Sequence, residues 1–190
     1  MKKPIIKFLI VTLTLIFNFN ASANTSDWKV SSAGETKVLQ MRLTSSTEGT
    51  EGLKEIPISL EVITNPGWKI YWRYPGDSGL PTEINFNDSS NLKSFQIFWP
   101  APFRFSTFGI DTFGYEGQII FPINVIPEIV NEMINLNTQI SLLACNEICI
   151  PFQEEISLQI PKTTSRPNMN TRVRAQFLSL VPRKITSDKY

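Results

Sequence analysis

The chain has 190 residues, 42% hydrophobic and 18% charged, a globular composition sufficient for one domain with a short appendage. Eighteen Lys and Arg stand against 17 Asp and Glu, and a formal charge of +1 lacks the basic excess that phosphate backbones demand, so no nucleic-acid partner is expected. Histidine is absent, which removes Ser-His-Asp and Cys-His catalysis, H-E-x-x-H zinc helices and C-x-x-C-H haem attachment together.

At the amino terminus, Lys2, Lys3 and Lys7 precede or interrupt the apolar run Phe8 to Phe17, and Ala21-Ser22-Ala23 supplies small residues at signal-peptidase spacing. Residues 1–23 read as a cleaved secretory signal peptide. The alternative, a membrane anchor, needs ~20 apolar residues, about twice this run, and Asn18 and Asn20 follow it. Cleavage removes three lysines and no acid, taking the net charge from +1 to −2. The remainder, residues 24–190, is long enough to bury about 70% of its unfolded surface without covalent staples. It holds no further stretch of membrane-spanning length, so the expected product is exported and periplasmic.

Strand-like runs follow at Lys37 to Leu43, Ile56 to Ile63, Lys69 to Arg73, Phe95 to Trp99, Gln118 to Val125, Thr138 to Leu143 and Glu155 to Ile160. Turn formers such as Asn65-Pro66-Gly67, Pro75-Gly76-Asp77, Asp88-Ser89-Ser90 and Pro100-Ala101-Pro102 separate them. Ile58-Ser59-Leu60-Glu61-Val62 and Ile156-Ser157-Leu158-Gln159-Ile160 alternate with a period of two, giving each strand one apolar and one polar face. Short, punctuated strands in this number predict an all-β antiparallel sandwich. Glu128 to Leu136 carries Ile129, Met133 and Leu136 at helical spacing and reads as a short helix or a crossover. Arg172 to Val181 repeats that spacing after the linker-like Thr163 to Asn170, so residues 162–190 form a tail with a candidate helix behind a sandwich of residues 24–161.

The most reactive side chains are Cys145 and Cys149, with strand-like sequence on both sides. Fully extended, positions four apart lie ~13 Å from each other, whereas a disulfide needs Cα atoms within about 7 Å. The chain must turn there, and a three-residue loop of Asn146, Glu147 and Ile148 would make the cysteines cross-strand neighbours. A structural bridge is one reading. Closing so short a loop contributes only about 2 kcal/mol by chain entropy, against about 4.7 for a 100-residue loop, so the pair is a poor staple and a better switch. A third reading is Cu(I) held by two soft thiolates; zinc would need further ligands that no histidine supplies.

The segment from Gly67 to Pro81 concentrates Trp68, Tyr71, Trp72 and Tyr74 before a turn. Trp68 and Trp72 read as core residues, Asp77 as a turn cap, and Arg73 as its possible ion partner. From Phe103 to Gly117, four phenylalanines and Tyr115 share a stretch with three glycines. It is too flexible for a strand interior and too apolar for an ordinary loop, which leaves an aromatic lid over a site or a loop folded onto the core.

Four motifs, in order, resemble a known family: Gly67 to Pro81 with its Gly-Trp-Lys-Ile-Tyr-Trp-Arg-Tyr-Pro-Gly-Asp start, Trp99-Pro100-Ala101-Pro102, Gly114-Tyr115-Glu116-Gly117 before Phe121-Pro122, and Cys145-Asn146-Glu147-Ile148-Cys149-Ile150-Pro151. Over about Trp28 to Pro161 the chain resembles the amino-terminal periplasmic domain of DsbD-type thiol:disulfide interchange proteins, and its C-x-x-x-C spacing looks like the suppressor-of-copper-sensitivity branch. The resemblance implies an immunoglobulin-like sandwich in which Cys145 and Cys149 are the redox pair. It also implies electrons arriving from a membrane thiol:disulfide reductase or thioredoxin-like protein and leaving to periplasmic clients with disulfides. It calls for no metal and no cofactor. Phe108, with Phe113 as the alternative, matches the family's aromatic cap over the cysteines. Trp68, Trp72, Arg73, Asp77 and Tyr115 would support the site. Full-length members continue into a membrane domain and a thioredoxin-like domain, so a chain of this length would take electrons from a separate membrane protein or be a shortened relative of the family. A non-catalytic envelope sandwich with a permanent disulfide is the reading outside this chemistry.

Overall fold

The computed structural model describes residues 24–107 and 109–183. The signal-peptide reading of residues 1–23 and the cap residue Phe108 lie outside the described residues. In chain order the elements are β1 (Lys29–Ala33), β2 (Thr36–Ser45), β3 (Ile56–Thr64), β4 (Lys69–Gly76), β5 (Glu83–Asn85), β6 (Leu92–Ile97), β7 (Phe103–Thr107), β8 (Ile110–Glu116), β9 (Gln118–Pro127), β10 (Ile134–Cys145), β11 (Cys149–Ile160) and α1 (Asn170–Leu178). One sheet runs β1-β2-β3-β9-β6 and the other β11-β10-β4-β8-β7, with β5 paired to β10. This order of strands, all joined antiparallel, makes an immunoglobulin-like β-sandwich.

Register explains the core. Along β3, Ile58, Leu60 and Val62 are fully buried, and each lies between partners on both neighbouring strands: Leu60 between Leu43 and Phe121, Val62 between Met41 and Ile119. Ile70, Ala144 and Tyr115 form a matching row on the second sheet. A one-residue slip of β3 would turn all these side chains to the outside, forfeiting about 1.5–3 kcal/mol for each large one.

The strands named from alternation are all present, most of them extended by a few residues. The stretch Phe103 to Gly117 differs: it is not a loop but the hairpin β7–β8, with Phe103 opposite Gly114 and Phe105 opposite Thr112. Its glycines sit where the backbone needs them. A Cβ on Gly114 would fall 2.1 Å from the Ile70 carbonyl oxygen, so the close approach of β4 and β8 requires a residue without a side chain. Glu128 to Met133 is a turn, not a helix, and Leu136 already belongs to β10. Ile129 and Met133, read as helical anchors, are exposed there.

After Pro161 the chain folds back onto the first sheet. Thr47 bridges Pro167, the Thr171 hydroxyl donates to the Ser46 carbonyl at 2.8 Å, and the Arg174 Nε donates to the Ile58 carbonyl at 3.3 Å. Phe177 of α1 packs against the core.

Candidate redox site

The end of β10 delivers Cys145 to a turn that the Asn146 N–H closes by donating to the Ile148 carbonyl at 2.9 Å, and β11 begins at Cys149. The two cysteines are the last cross-strand pair of the ladder, with Cα atoms 4.1 Å apart and their sulfurs bonded at 2.00 Å. The pair is asymmetric: Cys145 is 2% exposed, whereas Cys149 lies open at the surface.

Burial of Cys145 comes from β4. Cys145 is partnered with Lys69 on that strand, and Tyr71, two residues along, shares the face of Lys69. The Tyr71 hydroxyl donates to Cys145 Sγ at 3.3 Å. Burial raises the Tyr71 pKa above that of an ordinary phenol, so the hydroxyl stays protonated and remains a donor throughout the neutral range. The Lys69 ammonium stands 4.8 Å from the Phe105 ring centroid and 5.8 Å from that of Tyr71, a cation held over aromatic faces beside the sulfur pair. The absence of a side chain at Gly114, between Tyr71 on one side and Phe103 on the other, leaves room for this cluster.

Tyr71 is itself clamped. The Thr82 hydroxyl donates to its carbonyl at 2.6 Å, and Gly79, at φ +98°, lies on its ring so closely that a Cβ there would fall 2.5 Å from a ring carbon. Both the backbone conformation and the space demand glycine. Gly79→Ala should therefore destabilise the protein by about 1–3 kcal/mol and expose the reduced Cys145 to alkylation by iodoacetamide. A variant with unchanged melting and unchanged alkylation rate would contradict the clamp.

The structure distributes the residues singled out from sequence. Trp68 is a core residue at 8% exposure, and Tyr115 is buried with its hydroxyl donating to the Pro100 carbonyl at 2.8 Å. Burial drives the Tyr115 pKa well above the phenol range, against a weaker opposing effect of the Arg73 charge. Trp72 packs against the core edge, and the Arg73 guanidinium lies 5.3 Å from both the Trp72 and Tyr74 rings. Arg73 and Asp77 do not form the ion pair that their spacing suggested; among the described residues Arg73 stacks on aromatics instead. Asp77 ties the end of β4 to β8, accepting from the Asp111 N–H at 3.2 Å and donating its own N–H to the Asp111 carbonyl at 2.9 Å. Phe113 shares the strand face of Tyr115, with its ring beside Gly76, on the side of β8 opposite Gly114 and Glu116. Among the described residues the Tyr71 hydroxyl reaches Cys145, a contact that the sequence reading did not single out. Alternation carried the signal: in Trp68-Lys69-Ile70-Tyr71-Trp72 the core face takes Trp68 and Ile70, which leaves Lys69 and Tyr71 together on the other.

Among the described residues no helix is long and apolar enough to cross a membrane, and no group of three or more Cys, Asp or Glu stands together as a metal site.

Comparison with known proteins supplies the family. No curated protein matches the sequence. The N-terminal periplasmic domain of ScsB from Proteus mirabilis, a crystal structure, is 29% identical with a TM-score of 0.65 over 84% of this chain, which spans 60% of that chain's length. The reduced DsbD N-terminal domain of Neisseria meningitidis is 8% identical with a TM-score of 0.38, over 66% of this chain and 88% of that one. The family model described as thiol:disulfide interchange protein DsbD, N-terminal, matches residues 50–161, which include β4, the β7–β8 hairpin and both cysteines. The chain belongs to the DsbD N-terminal domain family and is similar to its ScsB type.

Proposed function

We propose that the chain is an exported thiol–disulfide exchange module in which residues 24–161 carry the exchange chemistry behind a signal peptide of residues 1–23. It receives electrons from a membrane thiol:disulfide reductase or thioredoxin-like protein in the periplasm and passes them to client disulfides. The observation that carries this reading is the asymmetry of the pair: one sulfur open to a partner, the other buried under a hydrogen-bond donor.

The chemistry follows from that asymmetry. An incoming thiolate attacks Cys149 Sγ, the S–S bond breaks, and its electron pair passes to Cys145 Sγ, which the Tyr71 hydroxyl stabilises. A second partner thiolate then releases Cys149, leaving the dithiol. In the forward direction the Cys149 thiolate attacks a client disulfide and expels one client sulfur as a thiolate. Cys145 then attacks Cys149 Sγ and frees the other. Two electrons and two protons move to the client in each cycle. Phe108 in the cap role, and Trp68, Trp72, Arg73, Asp77 and Tyr115 in support, belong to the same reading; Phe113, the alternative for the cap, stands on the face of β8 away from the cysteines, and Tyr71, Lys69 and Gly79 join on geometry.

The reduction potential of the purified chain tests the proposal. A value of roughly −180 to −270 mV, in the range of exchange proteins, is expected; a value below about −300 mV would make the bond an inert bridge and overturn it.

A further inference from the structure

The outer edge of β11 starts at the exposed sulfur. In an antiparallel ladder, hydrogen-bonded and non-hydrogen-bonded pairs alternate. The Asn146 N–H donates to the Ile148 carbonyl, which makes 146 and 148 a hydrogen-bonded pair and Cys145 and Cys149 a non-hydrogen-bonded one. Their Cα separation of 4.1 Å agrees, since non-hydrogen-bonded pairs lie at about 4.5 Å and hydrogen-bonded ones at about 5.5 Å. The register then runs without a bulge, so Cys149, Pro151 and Gln153 direct their backbone polar groups away from β10.

Among the described residues β11 is the last strand of its sheet, and nothing is paired to that side. Cys149, Pro151 and Gln153 are exposed. Pro151 falls at an outward position, where its missing N–H costs the β10 ladder no bond. At Glu154 the strand meets β1, with Ser31 Oγ donating to the carboxylate at 2.7 Å and Lys29 Nζ 3.4 Å away. Residues 149–153 are the part of this edge nearest the reacting sulfur, about one short strand long.

We propose that this edge docks the exchange partner as an added β-strand: an extended, cysteine-bearing segment whose backbone bonds to Cys149 and Gln153. A residue directly opposite Cys149 on such a strand shares its sheet face at a Cα distance of about 5.5 Å, within the range a disulfide spans. The partner's cysteine at that position has its sulfur against Cys149 Sγ. The Cys149 thiolate forms the new S–S bond, and the partner's second sulfur leaves with the electron pair and takes a proton. The inference rests on the exchange reading above and adds the partner's conformation to it.

The probes are glutathione disulfide and an eight-residue peptide of alternating Thr and Val whose single central cysteine is capped as its glutathione mixed disulfide. Gln153→Pro deletes one outward N–H and leaves the β10 ladder intact. The ratio of the peptide rate to the glutathione-disulfide rate should fall at least tenfold in Q153P, and Gln153→Ala, which keeps the N–H, should restore it. An unchanged ratio in Q153P overturns the edge. Amide hydrogen exchange provides the second arm, using the peptide adduct trapped on Cys149 in Cys145→Ser. Slowed exchange at both Cys149 and Gln153 supports strand addition even if Q153P folds poorly, and unprotected amides overturn it. A wild-type chain that reacts with neither probe removes the exchange reading itself.

Discussion

Cys145→Ser should trap partners as stable mixed disulfides at Cys149, while Cys149→Ser should trap almost none. With Cys145 gone, the open Cys149 thiol still attacks, but no second thiol remains to resolve the adduct. With Cys149 gone, the surviving sulfur lies 2% exposed under the Tyr71 hydroxyl, out of reach of a protein disulfide. The expected difference in the rate of adduct formation with glutathione disulfide is about 100-fold, read by intact mass. Equal trapping by the two variants, or faster trapping at Cys145, would reverse the assignment of the attacked sulfur and with it the mechanism.

Tyr71→Phe should make the pair harder to reduce. A hydrogen bond to a charged group contributes about 1.5–3 kcal/mol, and the Cys145 thiolate gains more from the Tyr71 hydroxyl than a neutral disulfide sulfur does. Removing the donor destabilises the reduced state relative to the oxidised one. The potential should therefore fall by roughly 30–60 mV, and the Cys145 thiol pKa should rise, because the thiolate loses a hydrogen-bond donor. The sign of the pH dependence follows. Below the thiol pKa the reduced sulfur is a neutral thiol with little to lose, so the difference between wild type and Y71F should grow from pH 6 to pH 9. Tyr71 does not titrate across that window, because burial raises its own pKa. A potential in Y71F that is unchanged at pH 9, or higher, would leave the tyrosine as packing alone.

Much of this site was legible in the residues. The cysteine spacing demanded a turn, and the three-residue loop joining cross-strand neighbours is what the structure has. The alternating runs became strands because a period of two gives each a buried face. The hairpin from Phe103 to Glu116 was misread for a physical reason. Three glycines lower strand propensity when weighed one at a time, but Gly114 is where β4 approaches closely, and Gly109 and Gly117 take positive φ just outside the strands. Long-range pairing outweighed the local preference.

Composition, alternation and cysteine spacing by themselves determined an all-β chain without histidine chemistry, with two thiols brought together by a tight turn. Those properties depend on residues near one another along the chain. Which sulfur is buried, which hydroxyl reaches it and which strand edge stays open depended on β4, 74 residues before Cys145 at Tyr71, lying against β10, with no strand beyond β11 among the described residues. Such contacts between distant segments leave no periodic trace in the sequence, because each is settled by the packing of both strands at once.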